Sequence, residues 1–333
     1  MLTAQDYQGL YGIIPTPALP GADRYAAVDT VDLDETERLI NVLIRDGVTG
    51  LIVLGTTGEC ATLSEADYDA FVECALETVG RRVPTLVGAT AMGAHQSVHR
   101  LRKIQDLGAD GTLLGLPMWQ PLTTKPAVSF YAEISRIFPD LAVMVYANAR
   151  AFRYDFPADF WAAVAQAAPT VTSAKYSRTA GLTDLIAATK HRINFVPNDM
   201  VVQDFFAISP STTTACWATA AAMNPVPCVA LMEAIRQNRT QAIDELAAAI
   251  RWANEPVSHI FNNAEIFGKY TIQLEKTRIN AAGYSACGPV RPPYTDFPET
   301  YAAPSRECGA RWAAICTAYR GSFEFAERPW LPG

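Results

Sequence analysis

The chain has 333 residues, half of them hydrophobic and 18% charged, with a net charge of −7. Average soluble domains carry about 25% charge, so this chain is charge-poor, and its apolar content excludes disordered, collagen-like and low-complexity classes. Six lysines, an acidic balance and no basic run argue against nucleic acid and anionic membranes as partners.

The length fits either two domains or an α/β barrel of about 250 residues with an appendage. Seven scattered cysteines without a CxxC read as reduced thiols of a cytoplasmic protein, giving neither a disulfide framework nor a zinc site. The N-terminal MLTAQDYQGLYG lacks a basic segment followed by an apolar one, so no secretion signal is expected. The most apolar window, 214–232, contains Pro225 and Pro227, which would break a spanning helix.

In chain order, short β-rich apolar runs alternate with stretches of helical period. The runs are Tyr11–Pro17, Gly50–Gly55, Val83–Thr90, Gly111–Pro117, Leu141–Asn148, Val171–Tyr176, Ile193–Asn198 and Thr212–Trp217. Asp32 to Glu35 opens the first helix with acids in its first turn, and Ser64-Glu65-Ala66-Asp67 is a capping box for the second. Further helices are expected over about 94–107, 125–138, 157–167, 180–190 and 200–208. Repeated β-then-α order means an α/β fold with a parallel sheet, and eight units close a (β/α)8 TIM barrel over 1–222. Residues 223–333 read as a C-terminal helical extension, with helices at about 226–236, 240–253, 258–282 and 300–319 and no returning strand. The segment GPVRPPY (288–294) links the last two.

Lys175 is the informative residue. It lies in the sixth β-run, whereas lysines 103, 125, 190, 269 and 276 fall in helical or polar stretches where exposure is expected. Desolvation at a barrel strand lowers an amine pKa and frees it to attack a carbonyl. A lysine snorkelling to water, or paired with a carboxylate, is the plainer alternative. Gly55-Thr56-Thr57-Gly58-Glu59 ends the second run, at the barrel end where active sites lie. Its amides and hydroxyls suit a carboxylate, although an ordinary βα turn has the same composition. Tyr146 ends the fifth run with Asn148 two residues on; a phenol there can relay protons and an amide can hold a hydroxyl or water. His95 and His99, spaced i, i+4, lack a third metal ligand and read as a solvated helix face.

Together these positions resemble the dihydrodipicolinate synthase/N-acetylneuraminate lyase family of class I pyruvate aldolases. The resemblance covers essentially the whole chain. It implies a Schiff base between Lys175 and the keto carbon, pyruvate carboxylate binding by Thr56, Thr57 and Gly58, and proton shuttling by Tyr146. It also implies no metal or organic cofactor, and a homotetramer. Pro117-Met118-Trp119-Gln120 replaces the tyrosine pair of the lysine-biosynthetic members, and Ala151 stands where they carry an arginine. The segments LGLPMW, YANARAFRYDFP, TSAKY, LEKTRINAAGY and CGPVRPPY instead look like the hydratase-aldolases of polycyclic aromatic hydrocarbon degradation. Those enzymes split trans-o-substituted benzylidenepyruvates into an aromatic aldehyde and pyruvate. The resemblance then makes Trp119 and Trp217 an aromatic wall. Naphthalene pathways use o-hydroxy substrates and phenanthrene pathways o-carboxy ones. Arg150, Arg153 and Arg178, on loops at that end of the barrel, favour the o-carboxy substrate. Another pyruvate aldolase acting on a sugar acid, and a non-catalytic keto-acid-binding barrel, are the alternatives.

Overall fold

The computed structural model describes residues 1–321 and 323–326. Residues 322 and 327–333 of the expected extension lie outside the described residues. Eight parallel strands form the core: β1 (Gly9–Ile14), β2 (Gly50–Val53), β3 (Thr85–Gly88), β4 (Gly111–Leu114), β5 (Ala142–Tyr146), β6 (Val171–Lys175), β7 (Asn194–Val196) and β8 (Ala215–Ala218). Sequential strands pair, and β1 also pairs with β8. The seam closes just past β7, where the Trp217 N–H donates to the Pro197 carbonyl at 2.8 Å and the Asp199 N–H to the Trp217 carbonyl at 3.1 Å. This is a (β/α)8 barrel carrying C-terminal helices, as the alternation predicts.

Each strand is shorter than its apolar run. The first ends at Ile14 because Pro15 and Pro17 have no N–H for the ladder. Large and small side chains alternate inside. Tyr11 is in register with Gly50, where a Cβ would lie 2.4 Å from the tyrosine ring.

Helices cover the barrel. Asp32 caps Leu33–Arg45 by accepting the Glu35 N–H, and Ser64 caps Glu65–Val79 by accepting the Asp67 N–H. The expected capping box forms only in half. The Asp67 carboxylate turns instead to the Thr30 N–H at 2.7 Å and the Thr30 hydroxyl at 3.1 Å, tying the β1 loop to this helix.

The extension departs from its expected pattern twice. The helix expected over 258–282 is split into a turn, Ser258–Phe261, and a helix, Ala264–Ala282, because Asn263 caps the second by accepting the Glu265 and Ile266 N–H groups. That helix kinks at Tyr270, where the Thr271 hydroxyl bonds back to the Phe267 carbonyl. A strand pair also returns: Tyr319–Gly321 and Glu324–Phe325 form an antiparallel ribbon too short to show alternation in sequence. Val226–Arg236 packs on β1 and β8, and Ala264–Ala282 packs on Glu299–Ala318. The last two approach closely at Gly309, where a Cβ would lie 2.2 Å from the Arg278 carbonyl oxygen.

Candidate active site

Three strand ends build the site. Past β2 the chain turns sharply, with Leu54 (φ 58°) and Glu59 (φ 54°) both in the left-handed region. Such backbone persists only where its surroundings hold it. Gly58 is required here, since a Cβ would come 2.7 Å from the Leu54 nitrogen. Inside the turn the Glu59 N–H donates to the Thr56 carbonyl at 3.0 Å, and the Thr16 hydroxyl donates to the Gly58 carbonyl at 2.7 Å. The Thr57 and Gly58 amides have no hydrogen-bond partner among the described residues. Two consecutive free N–H groups beside threonine hydroxyls make a cradle suited to a carboxylate.

Tyr146 closes β5. Its hydroxyl lies 2.8 Å from the Thr56 hydroxyl, and the Asn148 amide donates to the phenol oxygen at 3.2 Å. Asn148 is fixed from its other end, because its carbonyl oxygen caps the short helix Ala149–Phe152 by accepting the Ala151 N–H at 3.1 Å. The phenol oxygen therefore has a donor, and a hydroxyl that can act either way, within reach. That setting gives the phenol hydrogen-bonded partners through which a proton can be passed. Phe152 supports the ring edge-on, with centroids 5.5 Å apart, and Phe152 fits only because Gly115 is a glycine.

Lys175 ends β6, in register with Tyr146 on the neighbouring strand. Its Nζ sits 3.2 Å from the Trp217 ring centroid and 5.0 Å from that of Tyr146. No hydrogen bond or ion pair holds the amine among the described residues, so the carboxylate-paired alternative does not apply. Although the side chain keeps some solvent contact, burial lowers the amine pKa from 10.5 to about 7, with Glu275 opposing this and Arg150 adding to it. Ring faces favour an ammonium, but here desolvation outweighs them.

Other expected residues are placed variously. Arg150 stands on the short helix with its guanidinium 4.7 Å from the Phe267 ring centroid. Arg178 is exposed and reaches the Asp155 carbonyl at 3.3 Å. Arg153 holds the carbonyls of Met118 (2.9 Å) and Trp119 (2.8 Å), pinning the loop after β4 to the loop after β5. Trp119 itself is 77% exposed, so only Trp217 contacts the lysine. His95 and His99 are exposed on Ala94–Asp106, as a solvated face requires, and the described residues contain no cluster of metal-ligating side chains. All seven cysteines are free thiols.

A further expectation, that of an exposed Lys276, was wrong. Lys276 is 1% exposed, not solvated. Its amine bonds Glu59 at 2.9 Å and the Pro289 carbonyl at 2.7 Å, while Arg291 bonds the same Glu59 oxygen at 2.6 Å. A second buried group adjoins it: Glu275 pairs with Arg278 at 2.7 Å, and Arg278 also reaches Asn254 at 2.7 Å. Burial pushes the Asp199 carboxyl up to about 6. Sequence reasoning missed these residues, yet one signal existed. Ile272, Lys276 and Ile279 fall at i, i+4 and i+7, which places Lys276 on the apolar stripe of its helix.

Residues 13–204 match the model of the Dihydrodipicolinate synthetase family. The chain is 37% identical to the trans-O-hydroxybenzylidenepyruvate hydratase-aldolase of Pseudomonas putida, over 96% of both chains. It is 35% identical to the trans-2'-carboxybenzalpyruvate hydratase-aldolase of Nocardioides sp. (strain KP7), again over 96% of both. Among solved structures, PhdJ bound to substrate intermediate superimposes with a TM-score of 0.92 at 35% identity, covering 96% of this chain and 99% of that one. With its barrel, its strand-end lysine and these full-length relatives, the chain belongs to the Dihydrodipicolinate synthetase family, in the company of its hydratase-aldolases.

Proposed function

We propose that this protein is a hydratase-aldolase that cleaves a trans-o-substituted benzylidenepyruvate to an aromatic aldehyde and pyruvate through a Schiff base on Lys175. The observation that carries this reading is the unpaired, desolvated Lys175 amine beside a tyrosine already bonded to Thr56 and Asn148. The relatives of similar length are named for this reaction.

In this mechanism the neutral amine adds to the C2 ketone, and loss of water leaves a protonated imine conjugated with the C3=C4 bond. Thr56, Thr57 and the free amides of the turn hold the pyruvate carboxylate. Water, oriented by Asn148 or Tyr146, adds its oxygen to C4, and C3 takes a proton. Tyr146 then removes the C4 hydroxyl proton, the C3–C4 bond breaks, and its electrons enter the iminium. Aldehyde leaves, the enamine is protonated at C3, and hydrolysis returns pyruvate and the free amine. The iminium is the electron sink, so no metal or organic cofactor takes part in this scheme.

The substituent follows from charge. Arg150 is close enough to bias the Lys175 amine electrostatically, and it stacks on Phe267 with no hydrogen bond or ion pair to its guanidinium among the described residues, leaving its edge to take a carboxylate. We assign the o-carboxy substrate on this ground, with Arg178 as the outer cation and Trp217 as the ring-facing wall. Leu19, Tyr25 and Val28 are exposed apolar side chains on the loop after β1, a surface that contact between the copies of a homotetramer would cover.

Borohydride with pyruvate should place a reduced pyruvyl group on Lys175, located by peptide mass spectrometry. An adduct elsewhere, or none, rejects the Schiff-base assignment. Arg150→Met should lower kcat/KM for o-carboxybenzylidenepyruvate more than for the o-hydroxy analogue; equal losses reject the substituent.

A further inference from the structure

We infer that Glu59, clamped by Lys276 and Arg291, is a positioning residue for the Thr56–Gly58 turn, so that the C-terminal extension sets the barrel's affinity for the carboxylate of a keto acid. The inference rests on the Schiff-base reading for its probe, pyruvate.

Glu59 closes the turn, and its carboxylate is fully committed. One oxygen accepts the Arg291 backbone N–H at 2.9 Å; the other accepts the Arg291 guanidinium at 2.6 Å and the Lys276 amine at 2.9 Å. The two cations lie 232 and 217 residues away in sequence, on the 288–294 linker and the helix Ala264–Ala282. The same cluster holds the turn from its other side. Arg291 donates to the Thr16 carbonyl at 3.1 Å, and the Thr16 hydroxyl carries the Gly58 carbonyl. Arg291 is itself located by Thr30, whose hydroxyl accepts its Nε–H at 2.7 Å.

Burial makes this arrangement stiff. Glu59, Lys276 and Arg291 are each no more than 4% exposed, so water cannot replace a lost partner. Any shift of Glu59 leaves a buried cation uncompensated, and the turn is confined to one conformation. Among the described residues no hydrogen bond or ion pair joins Glu59, Lys276 or Arg291 directly to Lys175 or Tyr146, and the turn meets the phenol through the Thr56 hydroxyl, so the cluster acts first on the carboxylate that the Thr57 and Gly58 amides hold. A ground-state contact of that kind appears in KM and leaves kcat largely intact.

The test uses the full chain and the pyruvate dependence of borohydride trapping at Lys175. In Lys276→Met the Glu59–Arg291 pair survives, and half-saturating pyruvate should rise several-fold. In Glu59→Gln it should rise about tenfold or more, with the trapping rate at saturation and its pH dependence within about threefold of wild type. Should Glu59→Gln fail to fold, Lys276→Met carries the decision. Unchanged half-saturation in a folded variant, or a fall in the saturated rate without a change in half-saturation, overturns the inference alone. No adduct in the wild type overturns the Schiff-base reading and this inference with it.

Discussion

Changing pH should switch the reactivity of this enzyme through Lys175. With a pKa of about 7, half of the amine is neutral at pH 7. With the ordinary value of 10.5, roughly one molecule in three thousand would be, so burial raises the nucleophile by about a thousandfold. The kcat/KM profile, which reports the free enzyme, should rise tenfold per unit below about pH 7 and then level. Two substitutions move that limb in opposite directions. Glu275 raises the amine pKa, so Glu275→Gln should shift the limb to lower pH; Arg150 lowers it, so Arg150→Met should shift the limb upward. Stability carries the same signature. Between about pH 7 and 10.5 the unfolded chain binds a proton that the folded amine has lost, so this group makes stability rise with pH across that window. The penalty is complete below it. At pH 7 it is about 4 kcal/mol, and Lys175→Met should recover up to that amount in urea unfolding. A limb near pH 10, matching shifts from both substitutions, or a destabilised Lys175→Met would refute the desolvation account.

Tyr146→Phe should keep borohydride trapping at Lys175 but lower kcat by about a hundredfold or more, since it removes the proposed proton acceptor for C–C cleavage; near-normal turnover would remove Tyr146 from the mechanism. Asp199, raised to about 6 by burial, holds a proton in the folded state that the unfolded chain releases above about pH 4. It therefore lowers stability as pH rises through about 4 to 6. Asp199→Asn should gain about 2 kcal/mol on wild type between pH 4 and 7, and denaturant titrations at the two pH values measure the difference. Gly58→Ala should destabilise by about 1–3 kcal/mol, because its Cβ meets the Leu54 backbone at 2.7 and 2.8 Å, and an unchanged Tm would show that the turn has slack.

The eight β/α units, the strand-end Lys175 and Tyr146, and the GTTGE turn were legible in the sequence because each is a local pattern. Strand and helix periods, caps and breakers act over a few residues, and a strand-end lysine stands out against apolar neighbours. Even the mistaken single helix over 258–282 was a boundary error, made by a cap at Asn263 that the apolar period did not betray. What the tertiary structure decided was which charges are buried and whom they meet. Glu59 and Arg291 are ordinary residues of a turn and a Pro-rich linker until a chain reversal of more than two hundred residues brings them to 2.6 Å. Lys276 looked solvated for the same reason, and of the two candidate tryptophans the barrel's closure brings Trp217 to the Lys175 amine and leaves Trp119 exposed. Periodicity fixes the face on which a side chain lies, whereas the free energy of an ionised group depends on its dielectric surroundings and partners, and those are set by packing between distant segments. The scarcity of charge was plain from composition; only the fold showed that several of the few charges are spent inside, around the turn beside Lys175.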